Sequence, residues 1–229
     1  VKLLAVVLAI PALVLTWQWW GDTRTEQRLA PIVSEIAGRA VEVDCQTIWG
    51  ALIDPLPRHG EVLFDANGIP EARIFLTHET CGRLADFAGR ARHGELACLS
   101  AVEWGALPTG PFAHPCYERA SDTVYALLTL AHEAYHTAGV MNEAVTNCLA
   151  TQAVGYAAAA LGADLQEGRD AARAMAGWLP FQRGPYRIGD CVAGGPHDLH
   201  PETPDFPTEA VVVAPRGAGG VPGLASDAS

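Results

Sequence analysis

The sequence contains a single lysine, Lys2, and the rest of its positive charge comes from arginine. Lys and Arg together number 15 against 26 acidic residues, for a net charge of -11. That balance excludes a surface that tracks phosphates, because nucleic-acid binding draws on clustered cations. None of the six cysteines, Cys45, Cys81, Cys98, Cys116, Cys148 and Cys191, forms a C-x-x-C pair. A thiolate zinc site or a thioredoxin-type redox pair therefore has little support. There is no internal repeat, and no A-x-A cleavage pattern follows directly on the first apolar run.

That run is Leu3 to Leu15, preceded by Lys2 and followed by Trp17, Trp19 and Trp20. A charged start and a short apolar stretch describe a signal peptide, whereas three tryptophans where an interfacial belt would sit describe an uncleaved signal anchor. Residues 1–20 are just long enough to span a bilayer. On either reading the remainder of the chain is extracytoplasmic, anchored to the membrane or secreted. Arginine in place of lysine, with abundant Ala, Gly and Pro, is the composition of a GC-rich bacterial coding sequence. An even cysteine count in an exported chain predicts disulfides, with 15 connectivities open for six cysteines.

At 229 residues one domain is expected, with flanking segments that need not fold. Within residues 21–40, Leu29, Ile32, Val33 and Ile36 keep a helical spacing interrupted early by Pro31 and predict a juxtamembrane helix. Val62-Leu63-Phe64 and Ala72 to Leu76 flank Asn67-Gly68 and read as a β-hairpin. Thr77 or Thr80 then caps a helix to about Arg92, with Leu84, Phe87 and Ala88 on its apolar side. Gly94 to Pro115 reads as a tethered loop. Ser121-Asp122-Thr123 supplies an N-cap for the strongest helix, which Gly139 ends by turning left-handed. Further helices are expected from about Asn142 to Leu161 and from Asp164 to Trp178. Pro180 onward reads as loop, and residues 201–229 as a disordered Pro/Gly/Ala-rich tail. Residues 41–200 form the domain that carries the chemistry.

On the Ser121 helix, His132 and His136 stand four residues apart, so both imidazoles project from one face and can share a metal. Zinc suits neutral imidazole ligands. An open position on the metal acidifies its water, and the neighbouring carboxylate of Glu133 is placed to accept the proton as general base. A random chain of this composition would show H-E-x-x-H roughly once or twice in a hundred sequences, so the flanking residues matter.

Those flanks are uncharged: Thr129, Leu130, Ala134, Tyr135, Thr137 and Ala138. In this the segment resembles the zincin metallopeptidases. Asn142, Glu143 and Thr146 resemble the N-E-x-x-S-D second motif of the gluzincin branch, typified by thermolysin-like enzymes, and the resemblance nominates Glu143 as third ligand. Asn147 stands where that family has an aspartate that orients a zinc histidine; an amide oxygen accepts an imidazole N–H without adding charge. Only six residues separate His136 from Glu143, far fewer than in thermolysin-like enzymes. This spacing is closer to metzincins, whose H-E-x-x-H-x-x-G-x-x-H also has a Gly at position 139 but would put its third histidine at Asn142. The resemblance spans Val124 to Cys148. It implies an α+β, predominantly helical fold: a compact zincin-like core of an active-site helix and a following ligand helix, with the β-hairpin before them and disulfide staples.

The bland readings are a first-turn glutamate stabilising a helix dipole at Glu143, a surface amide at Asn147, and a disulfide half at Cys148. His59, His78, His93 and His114 read as solvated turn or helix-edge residues. Tyr186, Arg187 and the Gly194–His200 stretch hold polar groups able to steady an oxyanion, and the strand from Ala72 to Leu76 is a candidate edge for an extended peptide. The expectation is a zinc-dependent hydrolase, a membrane-anchored or secreted metallopeptidase, with a peptide or protein substrate, Zn2+ as cofactor, the membrane as a partner through the N-terminal segment, and no nucleic acid. The alternative is a non-enzymatic, disulfide-stapled envelope module with a structural metal or none.

Overall fold

The structure, a computed structural model, describes residues 21–53, 59–90, 94–101, 115–187, 189–204 and 206–207. The proposed anchor at 1–20 lies outside them, as do His93, His114 and, of the expected tail at 201–229, residues 205 and 208–229. Among the described residues no helix is long and apolar enough to cross a membrane. The chain is α+β and mostly helical, with one small sheet and three disulfides.

Apolar residues at helical spacing build α1 over residues 21–37. It continues through Pro31, and Leu29, Ile32, Val33 and Ile36 all reach the common core. Strand β1 (Glu42–Cys45) buries alternate residues, Val43 and Cys45, as a half-covered strand must. The short helix α2 (Ile48–Ile53) follows, and Thr47 caps it by accepting from Gly50 N–H. The expected hairpin is formed by β2 (Gly60–Phe64) and β3 (Pro70–Leu76). Its tip is set by Asp65, whose carboxylate accepts from Asn67 and Ile69 N–H, and by Gly68 at φ 76°.

The sheet order is β1-β3-β2, with β1 parallel and β2 antiparallel to β3. This corrects the choice of Ala72–Leu76 as a free edge: β3 is the central strand, paired on both sides. The parallel partner β1 was not anticipated, because four residues pairing with a strand some thirty positions away leave little local signal.

Helix α3 (His78–Arg90) is capped by Thr77, whose hydroxyl accepts from Thr80 N–H. A 3-10 turn at Ala97–Ala101 follows, within the expected loop. Helix α4 (Pro115–Thr137) starts at a proline, a residue suited to the first turn because its missing N–H has no helical partner there. Ser121, Asp122 and Thr123, expected as the cap, thus lie well inside the helix. Their polar groups serve tertiary contacts instead: Asp122 pairs with Arg83 at 2.7 Å, and Thr123 donates to Glu95 at 2.8 Å.

Helix α5 (Glu143–Leu161) is buried on nearly all sides and rich in alanine, so α4 and α6 (Leu165–Trp178) both pack closely on it. Asp164 and Glu167 form a reciprocal capping box at the start of α6. Beyond α6, Gln152 of α5 holds the returning chain through His197 O and Leu199 N–H, each at 2.8 Å. Phe206 packs against the Cys148–Cys191 bridge, past the position where the tail was expected to begin.

The bridges pair Cys45 with Cys81, Cys98 with Cys116 and Cys148 with Cys191, leaving no free cysteine. Such pairing fits an oxidising compartment. The last closes a span of 43 residues, so replacing both Cys148 and Cys191 by Ala is expected to cost about 4 kcal/mol. A guanidinium unfolding curve checks this through a lowered midpoint.

Candidate metal centre

Tyr135 and Ala134 are fully buried, which fixes the rotation of α4 and directs His132, Glu133 and His136 toward a cleft of about 610 Å³. Helix α4 stops where Gly139 takes φ 93°; Val140 N–H then donates to Tyr135 O, and Gly139 N–H to His136 O. This doubly bonded reversal satisfies the last carbonyls of the helix and turns the chain within a few residues. Asn142 next caps α5, its side chain accepting from Ala144 and Val145 N–H. Glu143 is therefore the first residue of α5 and is returned to the histidines.

His132 Nε2 lies 3.0 Å from Glu143 Oε2 and 3.0 Å from His136 Nε2, and His136 Nε2 lies 3.5 Å from Glu143 Oε2. Donor atoms around a tetrahedral ion with bonds of about 2.0 Å stand about 3.3 Å apart, so the triangle has the size of a metal site. Its chemistry agrees. His136 Nδ1 faces the Val140 carbonyl at 2.7 Å, which only accepts; the ring proton therefore sits on Nδ1, and Nε2 presents a lone pair. Burial, followed by the charge of His132, holds His136 below the ordinary histidine range. The hydrogen bond from His132, helped by the nearby histidine charges and opposed by burial, holds Glu143 below the usual carboxylate range. A neutral imidazole and an ionised carboxylate are the forms that bind a cation.

His132 and His136 side chains are 12% and 11% exposed, against 38% for Glu143, so the group opens on one side only. Glu133 is buried and lines the same cleft. A Cβ on Gly60 would lie 2.9 Å from Glu133 Cγ and 3.1 Å from both Leu76 Cδ2 and Thr129 Cγ2. The absence of a side chain at Gly60 is what lets β2 approach α4 there. Strand β2, paired among the described residues only with β3, forms one wall of the cleft, and Trp178 and Tyr186 lie on another.

Among the sequence candidates, His132, Glu133, His136, Glu143 and Asn147 come together in this cleft. Asn147 is buried with its Nδ2 lacking a partner, and no hydrogen bond joins it to either histidine. The carbonyl of Val140 is the group that orients His136, and Thr146 Oγ1 donates to that same carbonyl at 3.1 Å. Tyr186 reaches the cleft, its ring 6.1 Å from that of His132. Arg187 and the Gly194–His200 stretch do not line it, since Gln152 docks that stretch on α5. Cys148 is buried in its disulfide.

Sequence reasoning missed His59, which lines the cleft and meets Tyr125 edge-on at 4.9 Å. It also missed Gly60. Neither had a local motif, since both are brought to the cleft by sheet packing. Comparison with models of known families, with characterised proteins and with solved structures returned no match.

Gly60→Ala is expected to destabilise the chain by about 1–3 kcal/mol through overpacking. Combined with Glu133→Ala, which removes the nearest atom, the loss is expected to be less than additive in a double-mutant unfolding cycle.

Proposed function

We propose that the chain is a zinc-dependent hydrolase, an exported metallopeptidase with a compact zincin-like core, in which His132, His136 and Glu143 hold Zn2+ and Glu133 is general base and then acid. The observation that carries this reading is the convergence of three potential ligand atoms, 3.0 to 3.5 Å apart, in the wall of an open cleft that Glu133 also lines. A bound zinc ion would supply an acidified water and polarise a substrate carbonyl. Glu133 takes the proton as the carbonyl is attacked and returns it to the departing amine. Burial of Glu133 keeps that transfer out of bulk water. Of the sequence candidates for steadying charge on the carbonyl oxygen, Tyr186 is the one that lines the cleft, its ring 6.1 Å from that of His132.

An extended peptide suits the outer edge of β2, which lines the cleft and pairs with no strand among the described residues. A structural zinc site is closed by four protein ligands. The cluster here has three among the described residues and opens into a cavity, which favours hydrolysis over the envelope-module reading.

Purified chain is expected to hold one zinc ion by elemental analysis. Glu133→Gln should keep the metal and lose about 10²- to 10⁴-fold in turnover on a peptide library. Glu143→Ala should lose more affinity for zinc than the roughly 10- to 100-fold that removal of an outer partner costs. Equal turnover in wild type and Glu133→Gln would overturn the assignment.

A further inference from the structure

Helix α2 buries none of its residues, and Trp49, Leu52 and Ile53 are 59%, 68% and 83% exposed. Its six residues, IWGALI, carry no charge in a chain of net charge -11. The helix is nonetheless held firmly at its start. Cys45, three residues before it, is bridged to Cys81 of α3; Gln46 N–H donates to Leu76 O; and Thr47 caps the first turn. A fixed element with three large apolar side chains in solvent marks a contact surface.

Its place in the fold indicates what the surface meets. The register aligns Cys45, Leu76 and Gly60, so α2 leaves the sheet at the end where β1 and β3 finish and β2 begins. The start of α1 is at this same end: Glu26 accepts from Cys45 N–H at 2.9 Å, and Asp22 lies within electrostatic reach of His78. The chain therefore enters the described structure at the end of the sheet from which α2 leaves, directly after the apolar run of Leu3 to Leu15 and Trp17, Trp19 and Trp20.

We infer that Trp49, Leu52 and Ile53 of α2 dock into the interface of the lipid bilayer, next to the point where the N-terminal segment leaves it. An uncharged turn bearing Trp, whose ring is apolar with a polar N–H, beside aliphatic residues suits the boundary between headgroups and acyl chains. His59 and Gly60 border the catalytic cleft at this end of the sheet, so docking holds the cleft close to the membrane surface. On the hydrolase reading, its substrates are polypeptide stretches lying near the bilayer.

The test does not depend on catalysis. Full-length chain carrying Leu52→p-benzoylphenylalanine is reconstituted with phosphatidylcholine vesicles, irradiated and analysed by mass spectrometry. Ala40→p-benzoylphenylalanine serves as control, since Ala40 is exposed at the opposite end of the sheet, where Arg39 bonds Pro70 O. Lipid adducts at position 52 are expected to exceed those at position 40 at least tenfold. Equal yields at the two positions would overturn the inference, as would adducts at position 52 formed mainly with protein, whether residues 1–20 of the same chain or a second copy.

Discussion

The Val140 carbonyl is the point on which the candidate metal site depends. It accepts from His136 Nδ1 and from Thr146 Oγ1, joining the end of the histidine helix to the first turn of the glutamate helix. Because the His136 proton is fixed on the outer nitrogen, the inner one is free as a ligand. The turn that presents this carbonyl requires the left-handed backbone of Gly139, φ 93°, a conformation that costs other L-residues roughly 1 to 2 kcal/mol. After Val140 and Met141, Asn142 caps α5, and Glu143 arrives within 3.0 Å of His132. A longer connection would leave Glu143 free to sample solvent; here two helix ends and one carbonyl hold it.

Around this joint the packing has a clear division. Alanine-rich α5 lies between α4 and α6, so the ligand helix cannot shift without displacing both neighbours. The Cys148–Cys191 bridge attaches one turn beyond Glu143 and gathers Leu179 and Phe206 around it. On the opposite side of the cleft, Gly60 permits β2 to lie against Glu133 and Thr129. The disulfides and the core thus fix the walls, while His132, Glu133, His136 and Glu143 line the cleft between them.

The helices were legible in the sequence because their signals are local: Asn142 and Asp164 cap, Gly139 terminates, and Leu84 with Phe87 marks the buried face of α3. The candidate metal triad was legible for the same reason, since His132, His136 and Glu143 all fall within a dozen residues. What was not legible depends on contacts between distant segments. Strand β1 is defined by its pairing with β3, and that pairing makes β2 the edge beside the cleft. His59 and Gly60 acquire their positions from the same sheet. Asn147 shows a different limit: the motif marked it as the residue that orients a histidine, whereas a backbone carbonyl, which has no side-chain signature, takes that part for His136.

The central claim is that two imidazoles and one carboxylate select a single zinc ion. Zinc K-edge X-ray absorption on the zinc-loaded chain tests it directly. The account predicts a four-coordinate shell of nitrogen and oxygen at about 2.0–2.1 Å, with imidazole scattering from two rings that is lost in His132→Ala/His136→Ala. A shell containing sulfur, or one unchanged by that double substitution, would contradict it.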